Sequence, residues 1–185
     1  AAKEACPHNL APSTSTLMQM ALGDALAITL LKMRGFSEES FRNFHPGGKL
    51  GAVLQPISEF MFQDSQLPLL DQAASIFDVI AEISNKGFGI VGLLDAAGKL
   101  CGVITDGDIR RYLEKNATGT MQDVMWSAFA KDIMSPAPVT LDPEKLGARS
   151  LHTMQTRKIS AVFVVQDSAP IGLVTLLQLL QRGVA

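Results

Sequence analysis

The sequence predicts an α/β (α+β) fold in which two copies of one β-α-β-β-α unit pack about a pseudo-twofold axis, behind a helical block at the start. Three observations predict it. The stretch Leu100-Cys101-Gly102-Val103-Ile104-Thr105-Asp106-Gly107-Asp108-Ile109-Arg110-Arg111-Tyr112-Leu113 reads as a short apolar strand that breaks at a polar turn and runs into a helix. Ile171-Gly172-Leu173-Val174-Thr175-Leu176-Leu177-Gln178-Leu179-Leu180 repeats that strand, turn and helix. The segments before each copy also follow one order, the signature of a duplicated unit.

Composition narrows the function classes. The chain has 185 residues, is 47% hydrophobic and 18% charged, and carries a formal net charge of −2. That describes a soluble globular protein with ample core. Lysines and arginines are scattered, with no run beyond Arg110-Arg111, so nothing favours nucleic acid as a partner. Cys6 and Cys101 form no CxxC, which fits a reducing cytosol. His8, His45 and His152 lie far apart, and no set of three or four metal ligands is spaced for zinc. No metal and no cofactor is expected. The start lacks the basic-then-apolar layout of a signal peptide. The most apolar window, Leu17 to Met33, is interrupted by Gln19, Asp24 and Lys32, so no membrane span is expected. The chain lacks an initiating Met and opens inside what reads as a folded segment, so the C-terminal part of a longer protein is expected.

The first block ends its irregular part at Ala11-Pro12-Ser13-Thr14-Ser15-Thr16. Pro12 keeps Ala11 extended, and the hydroxyls offer N-caps for a following helix. Four hydroxyls in a row exceed what one cap needs, and exposed N–H groups at a helix start also suit an anionic or polyhydroxy ligand. Both readings stand. The helix is expected from about Thr16 to Arg34, closed by Gly35. Leu17, Met20, Ala21, Ile28 and Leu31 make one apolar face, and Met18, Leu22, Ala25 and Leu26 most of another. A helix apolar nearly all round needs cover on more than one side, which implies a further domain or a subunit partner. Ser37-Glu38-Glu39 opens a short second helix, expected to carry Phe36, Phe41 and Phe44. It ends before His45-Pro46-Gly47-Gly48-Lys49-Leu50-Gly51, a turn or loop. A loop histidine is commonly a solvated side chain. Beside backbone that permits close approach, it is also a candidate proton carrier at neutral pH.

The repeat begins at residue 57. Phe60-Met61 precedes an extended piece from Leu67 to Leu70. Asp71 is the expected cap of a helix running to Lys86, with Ala73, Ile76, Phe77, Ile80 and Ile83 as its apolar positions. Ile90 to Leu94 is a strand, and Asp95-Ala96-Ala97-Gly98-Lys99 a hairpin turn into the strand at Leu100. In the second copy Ile133-Met134 matches Phe60-Met61, and Leu141-Asp142 matches Leu70-Asp71, with Pro143 expected at the first helical position. Ala161 to Val165 matches Ile90 to Leu94. A hairpin one residue shorter aligns Gly172 with Gly102. Trp126 falls in the linker.

With these residues in view, 57–185 resembles a tandem pair of cystathionine-β-synthase (CBS) domains. The resemblance rests on the paired unit starts and on the Gly-x-x-Thr-x-x-Asp of Gly102, Thr105 and Asp108. Ala11–Thr16, Gly23-Asp24-Ala25-Leu26-Ala27 and His45-Pro46-Gly47-Gly48 resemble the end of a sugar isomerase (SIS) domain. The combination is similar to the D-arabinose 5-phosphate isomerases of Gram-negative lipopolysaccharide (Kdo) biosynthesis. The expected domains are therefore a SIS remnant at 1–52, a first CBS domain at 57–119 and a second at 130–185.

The resemblance implies an aldose–ketose isomerisation between D-ribulose 5-phosphate and D-arabinose 5-phosphate, a cytoplasmic homo-oligomer (dimer or tetramer), and a nucleotide or nucleotide-sugar regulator. It implies that Ser13, Thr14 and Ser15 line the sugar pocket and that His45 handles protons. The phosphate loop and acidic residues of such a domain are expected upstream, so this chain alone is not expected to catalyse. Gly102, Thr105, Asp108 and Thr175 become candidate nucleotide-binding residues. The bland alternative is that Thr-x-x-Asp is simply a capping box. Thr175-x-x-Gln178 keeps a capping box too, but loses the carboxylate that would take both ribose hydroxyls. At most one good nucleotide site is expected, near Thr105 and Asp108. A non-catalytic nucleotide-sensing module with a dimerisation arm is the alternative function.

Overall fold

The computed structural model describes residues 3–44, 48–116, 125 and 128–184. It divides into two compact units, residues 1–45 and 46–185. In the first unit, α1 (Thr14–Met33) starts slightly earlier than expected and closes at Gly35, whose φ of +64° suits a residue without Cβ. No residue of α1 is buried, and Leu17, Met18, Met20, Leu22, Leu26 and Ile28 all face outward. With Thr14–Thr16 added, the helix has 20 residues and a mean hydropathy of 1.2, long and apolar enough by those measures to cross a membrane; core helices of soluble proteins reach the same values. In α2 (Glu38–Phe44), the Ser37 hydroxyl accepts the Ser40 N–H at 3.2 Å. The Phe36 ring meets Phe41 edge-on at 6.3 Å and stacks on Phe44 at 6.2 Å.

The second unit opens with α3 (Gly48–Val53) and then holds the repeat. The first copy supplies β1 (Leu69–Asp71), α4 (Ile76–Lys86), β2 (Ile90–Leu94), β3 (Leu100–Thr105) and α5 (Asp106–Lys115). The short α6 (Ala130–Ile133) and β4 (Ser135–Pro136) lead into the second copy. That copy comprises β5 (Thr140–Leu141), α7 (Gly147–Arg157), β6 (Ala161–Gln166), β7 (Ala169–Thr175) and α8 (Leu176–Gln181). One sheet runs β1-β2-β3-β4 and the other β5-β6-β7. In each, the first strand lies parallel to the second and the second antiparallel to the third. Gly102 sits opposite Leu93 and Gly172 opposite Val164, as the alignment of the copies requires. The shorter hairpin turns on Asp167 and Ser168, both at positive φ, the conformation of a tight two-residue hairpin loop.

Two helix starts differ from expectation. Asp71 and Asp142 do not cap helices; Asp71 ends β1 and Asp142 directly follows β5, and each turns the chain by accepting the amide two residues on, from Ala73 at 2.7 Å and from Glu144 at 2.8 Å. An aspartate offers the same acceptor to a turn as to a cap, so the residue alone cannot separate them. The first helix starts instead at Ser75, whose hydroxyl and Asp78 carboxylate exchange bonds in a capping box. Pro143 stays in the turn before α7. On α4 the buried residues are Ile76, Val79 and Ile83, while Phe77 is 43% exposed and Ala73 lies outside the helix.

The copies also trade their opening segments. Ile57 and Phe60, at the start of the first, pack with Leu141, Met154, Val162, Val174 and Leu179 of the second. Ala130 and Ile133, at the start of the second, pack with Ile76, Val79, Val91 and Ile104 of the first. The Met61 sulfur covers Gly172 and the Met134 sulfur covers Gly102, each where a Cβ would collide. Phe62 exchanges backbone bonds with Leu173, and β4 pairs with β3. Each large apolar side chain buried this way contributes roughly 1.5–3 kcal/mol, so neither half carries its own complete core. A third cluster, Leu67, Ile90, Ala161, Phe163 and Leu173, joins the halves.

Candidate functional site

β3 delivers Thr105 to the start of α5, where it closes a reciprocal capping box with Asp108. Asp108 Oδ2 accepts from the Thr105 amide at 2.8 Å and its hydroxyl at 2.6 Å. Oδ1 accepts from Arg111 Nη2 at 2.6 Å and from the Ser135 hydroxyl at 3.1 Å. Asp108 is buried, with 8% of its surface exposed, whereas the Arg111 side chain is 65% exposed. Burial works to raise the carboxyl's pKa; the bonds from Thr105, Arg111 and Ser135 outweigh it and hold Asp108 below the ordinary value.

These groups line a cavity of about 550 Å³, of a size that takes small ligands. The first copy gives it Thr105, Asp106, Asp108 and Arg111; the second copy gives Ser135 to Val139 from its opening segment, and Lys158 to Phe163. Traded segments thus build a cleft that neither half would form alone. Gly102 is not part of its lining: it lies mid-strand beneath Met134.

The equivalent second cleft, about 520 Å³, holds Thr175 and Gln178. Here only half of the expected capping box forms. The Thr175 hydroxyl accepts the Gln178 amide at 3.2 Å, but the Gln178 side chain turns away and donates to the Phe60 carbonyl at 2.6 Å. Its Oε1 is buried without a hydrogen-bond partner. The traded segment explains the turn, because it brings the Phe60 carbonyl within reach of Gln178. Phe62 and Phe88 pack ring on ring in this cleft, centroids 4.7 Å apart, and its lining carries no charged side chain.

In the first unit, the Glu4 carboxylate sits at the start of α1. Its Oε2 accepts from the Ser13 amide at 2.8 Å, the Ser13 hydroxyl at 3.2 Å and the Ser15 amide at 3.2 Å. Hydrogen bonds from the Ser15 side chain and from the backbone of Ser13 and Ser15 pull Glu4 down to about 2. Ser13 and Ser15 thus converge on one anionic oxygen, and Thr14 is the first residue of α1. Glu4 escaped the sequence reading: nothing local marks one acid upstream of a hydroxyl cluster. His45 lies outside the described residues. Among the described residues no group of three His, Cys, Asp or Glu side chains could hold a metal.

The CBS-domain profile matches residues 57–115 and 130–184. This chain belongs to the CBS-domain family. Among solved CBS structures, CBSX2 in complex with AMP superposes with a TM-score of 0.58 at 18% identity, over 68% of this chain and 93% of that one. The MJ1225 protein of Methanocaldococcus jannaschii reaches 0.61 at 21% identity, over 69% of this chain and 47% of that one. The CBS pair and the block before it are also similar to curated proteins named arabinose 5-phosphate isomerase KdsD. The Pseudomonas aeruginosa relative is 39% identical over 184 residues, covering 98% of this chain and 55% of the relative. The Escherichia coli K12 relative is 36% identical over 184 residues, covering 99% and 54%. The chain therefore spans about half the length of the curated relatives it matches.

Proposed function

We propose that the chain is the C-terminal regulatory part of an aldose–ketose sugar-phosphate isomerase that interconverts D-ribulose 5-phosphate and D-arabinose 5-phosphate for Kdo and lipopolysaccharide synthesis in the cytosol. One observation carries the reading: the similarity to the KdsD proteins extends over 98% of the chain, including the block before residue 57 that a CBS pair does not contain. In this reading, residues 1–52 end a SIS domain. Ser13, Thr14 and Ser15 face the sugar, and His45 moves protons between neighbouring carbons or oxygens. A homo-oligomer, dimer or tetramer, covers the apolar sides of α1.

The CBS pair serves as the regulatory module, with a nucleotide-type ligand in the cleft at Thr105 and Asp108. The carboxylate there suits a ribose diol, and the second cleft offers none. The decisive assay uses the chain extended upstream to its full isomerase length. It should convert ribulose 5-phosphate, and His45→Ala should lower turnover by two orders of magnitude or more, on the scale typical of general acid–base groups. Unchanged turnover removes His45 from the chemistry. Calorimetric titration with AMP and CMP addresses the cleft: Asp108→Ala should abolish binding, and equal binding by wild type and variant would move the site elsewhere.

The outward apolar residues of α1 favour one second reading, a non-catalytic nucleotide-sensing CBS module whose first 51 residues are a dimerisation arm. Absence of isomerase activity in the extended chain, with nucleotide binding retained, would select it.

A further inference from the structure

The two clefts differ in charge more than in size. The first carries Asp106, Asp108, Arg111 and Lys158; the second carries no charged side chain. Within the first, the two oxygens of Asp108 are held differently. Oδ2 is tied to Thr105 by the local capping box. Oδ1 is tied to the guanidinium of a mostly exposed side chain and to a hydroxyl across the cleft. Lys158 adds a second oddity. It caps α7 in the left-handed conformation at φ 55°, where its counterpart on α4 is Gly87 at φ 72°. A side chain at that backbone position is held at a conformational cost that glycine avoids. Gly87 lines the uncharged cleft and Lys158 the charged one.

We infer that Arg111 is a specificity-determining residue of the first cleft: it guards Asp108 Oδ1 and releases it only to a ligand that brings an anionic group, with Lys158 as the second cation that receives that group. The inference rests on the nucleotide reading of this cleft and names the class within it, phosphorylated ribosides as against neutral nucleosides. The physical reason is an exchange of partners. Oδ1 already accepts from both the Arg111 N–H and the Ser135 hydroxyl, so a ribose diol that binds it competes with the Arg111 N–H for the same oxygen. A neutral nucleoside then leaves the guanidinium with water alone, while a nucleotide offers phosphate oxygens that the planar fork binds in pairs. The second cleft has neither the carboxylate nor the cations, so this exchange is confined to one site per chain.

Calorimetric titration of the chain with AMP, adenosine, CMP and cytidine tests it. Wild type should bind at least one monophosphate roughly tenfold or more tighter than its own nucleoside, the scale of a charge-assisted hydrogen bond. Arg111→Ala should collapse that ratio from both sides, weakening the monophosphate and strengthening the nucleoside. Arg111→Lys, which keeps the charge and the fold, should retain part of the ratio. Lys158→Gly should weaken the monophosphate alone. If Arg111→Ala leaves nucleoside affinity unchanged or lower while wild type binds nucleotides, the exchange is wrong and the nucleotide reading stands. If wild type binds none of the four compounds, the nucleotide reading falls and this inference with it.

Discussion

The clefts on the two halves of the CBS pair start from one plan and end as different objects. Both sit where a strand runs into a helix behind a threonine, and both are completed by a segment traded from the other half. In the first, a carboxylate three residues after the threonine holds four bonds and two cations line the walls. In the second, a glutamine spends its amide on the Phe60 carbonyl and two phenylalanine rings pack together. Duplication thus preserves the joint, and side-chain replacement decides what chemistry each joint offers. One half keeps polar, charged chemistry; the other turns the same volume toward packing.

The largest effect should come from breaking the trade itself. Ile57 is fully buried and belongs to the core of the second half, not of the first copy that begins with it. Ile57→Ala should lose about 2–5 kcal/mol in denaturant unfolding. Hydrogen exchange should speed up first at the amides of α7 and β6, because the cavity opens beside Met154 and Val162. Ile133→Ala is the mirror experiment and should loosen α4 and β2 instead. Faster exchange within a variant's own copy would show that the halves fold on their own segments.

The second effect separates the clefts by pH. Asp108 is held below its ordinary pKa in the fold. Its contribution is therefore complete above the unfolded carboxylate value of about 3.9 and is lost as pH falls through the lower folded value. Asp78, held low by Ser75, adds to the same acid limb, so the test is a difference between variants. Asp108→Asn should cost about 1–3 kcal/mol at neutral pH and flatten part of the stability loss between pH 5 and 2. Gln178→Ala in the twin cleft should shift stability by a pH-independent amount. An acid limb unchanged by Asp108→Asn would mean that Asp108 titrates alike in the folded and unfolded chain.

How much of this was legible in the sequence follows from how local each feature is. The hairpins at Asp95 and Asp167, the strand alignment of Gly102 with Gly172 and the box at Thr105–Asp108 depend on neighbours a few residues apart, and they read correctly. The helix starts after Asp71 and Asp142 did not, since an aspartate serves a turn and a cap through one acceptor. The Gln178 side chain was unreadable for a different reason: its partner Phe60 lies 118 positions away in the chain. The trade of opening segments is hidden likewise, because Ile57 and Ile133 carry the same apolar signal whichever half they cover. Of the site, Thr105 and Asp108 were marked in advance. Arg111 was not, although it lies one turn after Asp108 on the same helix, because an arginine at that spacing also reads as a solvated helix face; Ser135 and Lys158 were not, since only the fold brings them into this cleft.

The smallest effect asks whether Lys158 serves the fold or the ligand. Lys158→Gly removes a left-handed non-glycine residue, a relief of about 1 kcal/mol. It also frees the unfolded chain, which returns about 0.4–1 kcal/mol. The two nearly cancel, so unfolding free energy should change by less than about 0.5 kcal/mol. The reciprocal Gly87→Ala takes on the strain and gains only the smaller entropic return, and open space around Gly87 means that no clash adds to it. It should be neutral to destabilising by about 0.6 kcal/mol. Paired unfolding curves for the two variants measure the asymmetry directly. A loss above about 1 kcal/mol in Lys158→Gly would place the lysine side chain among the contacts that hold α7, and would remove the conformational case for its role in the charged cleft.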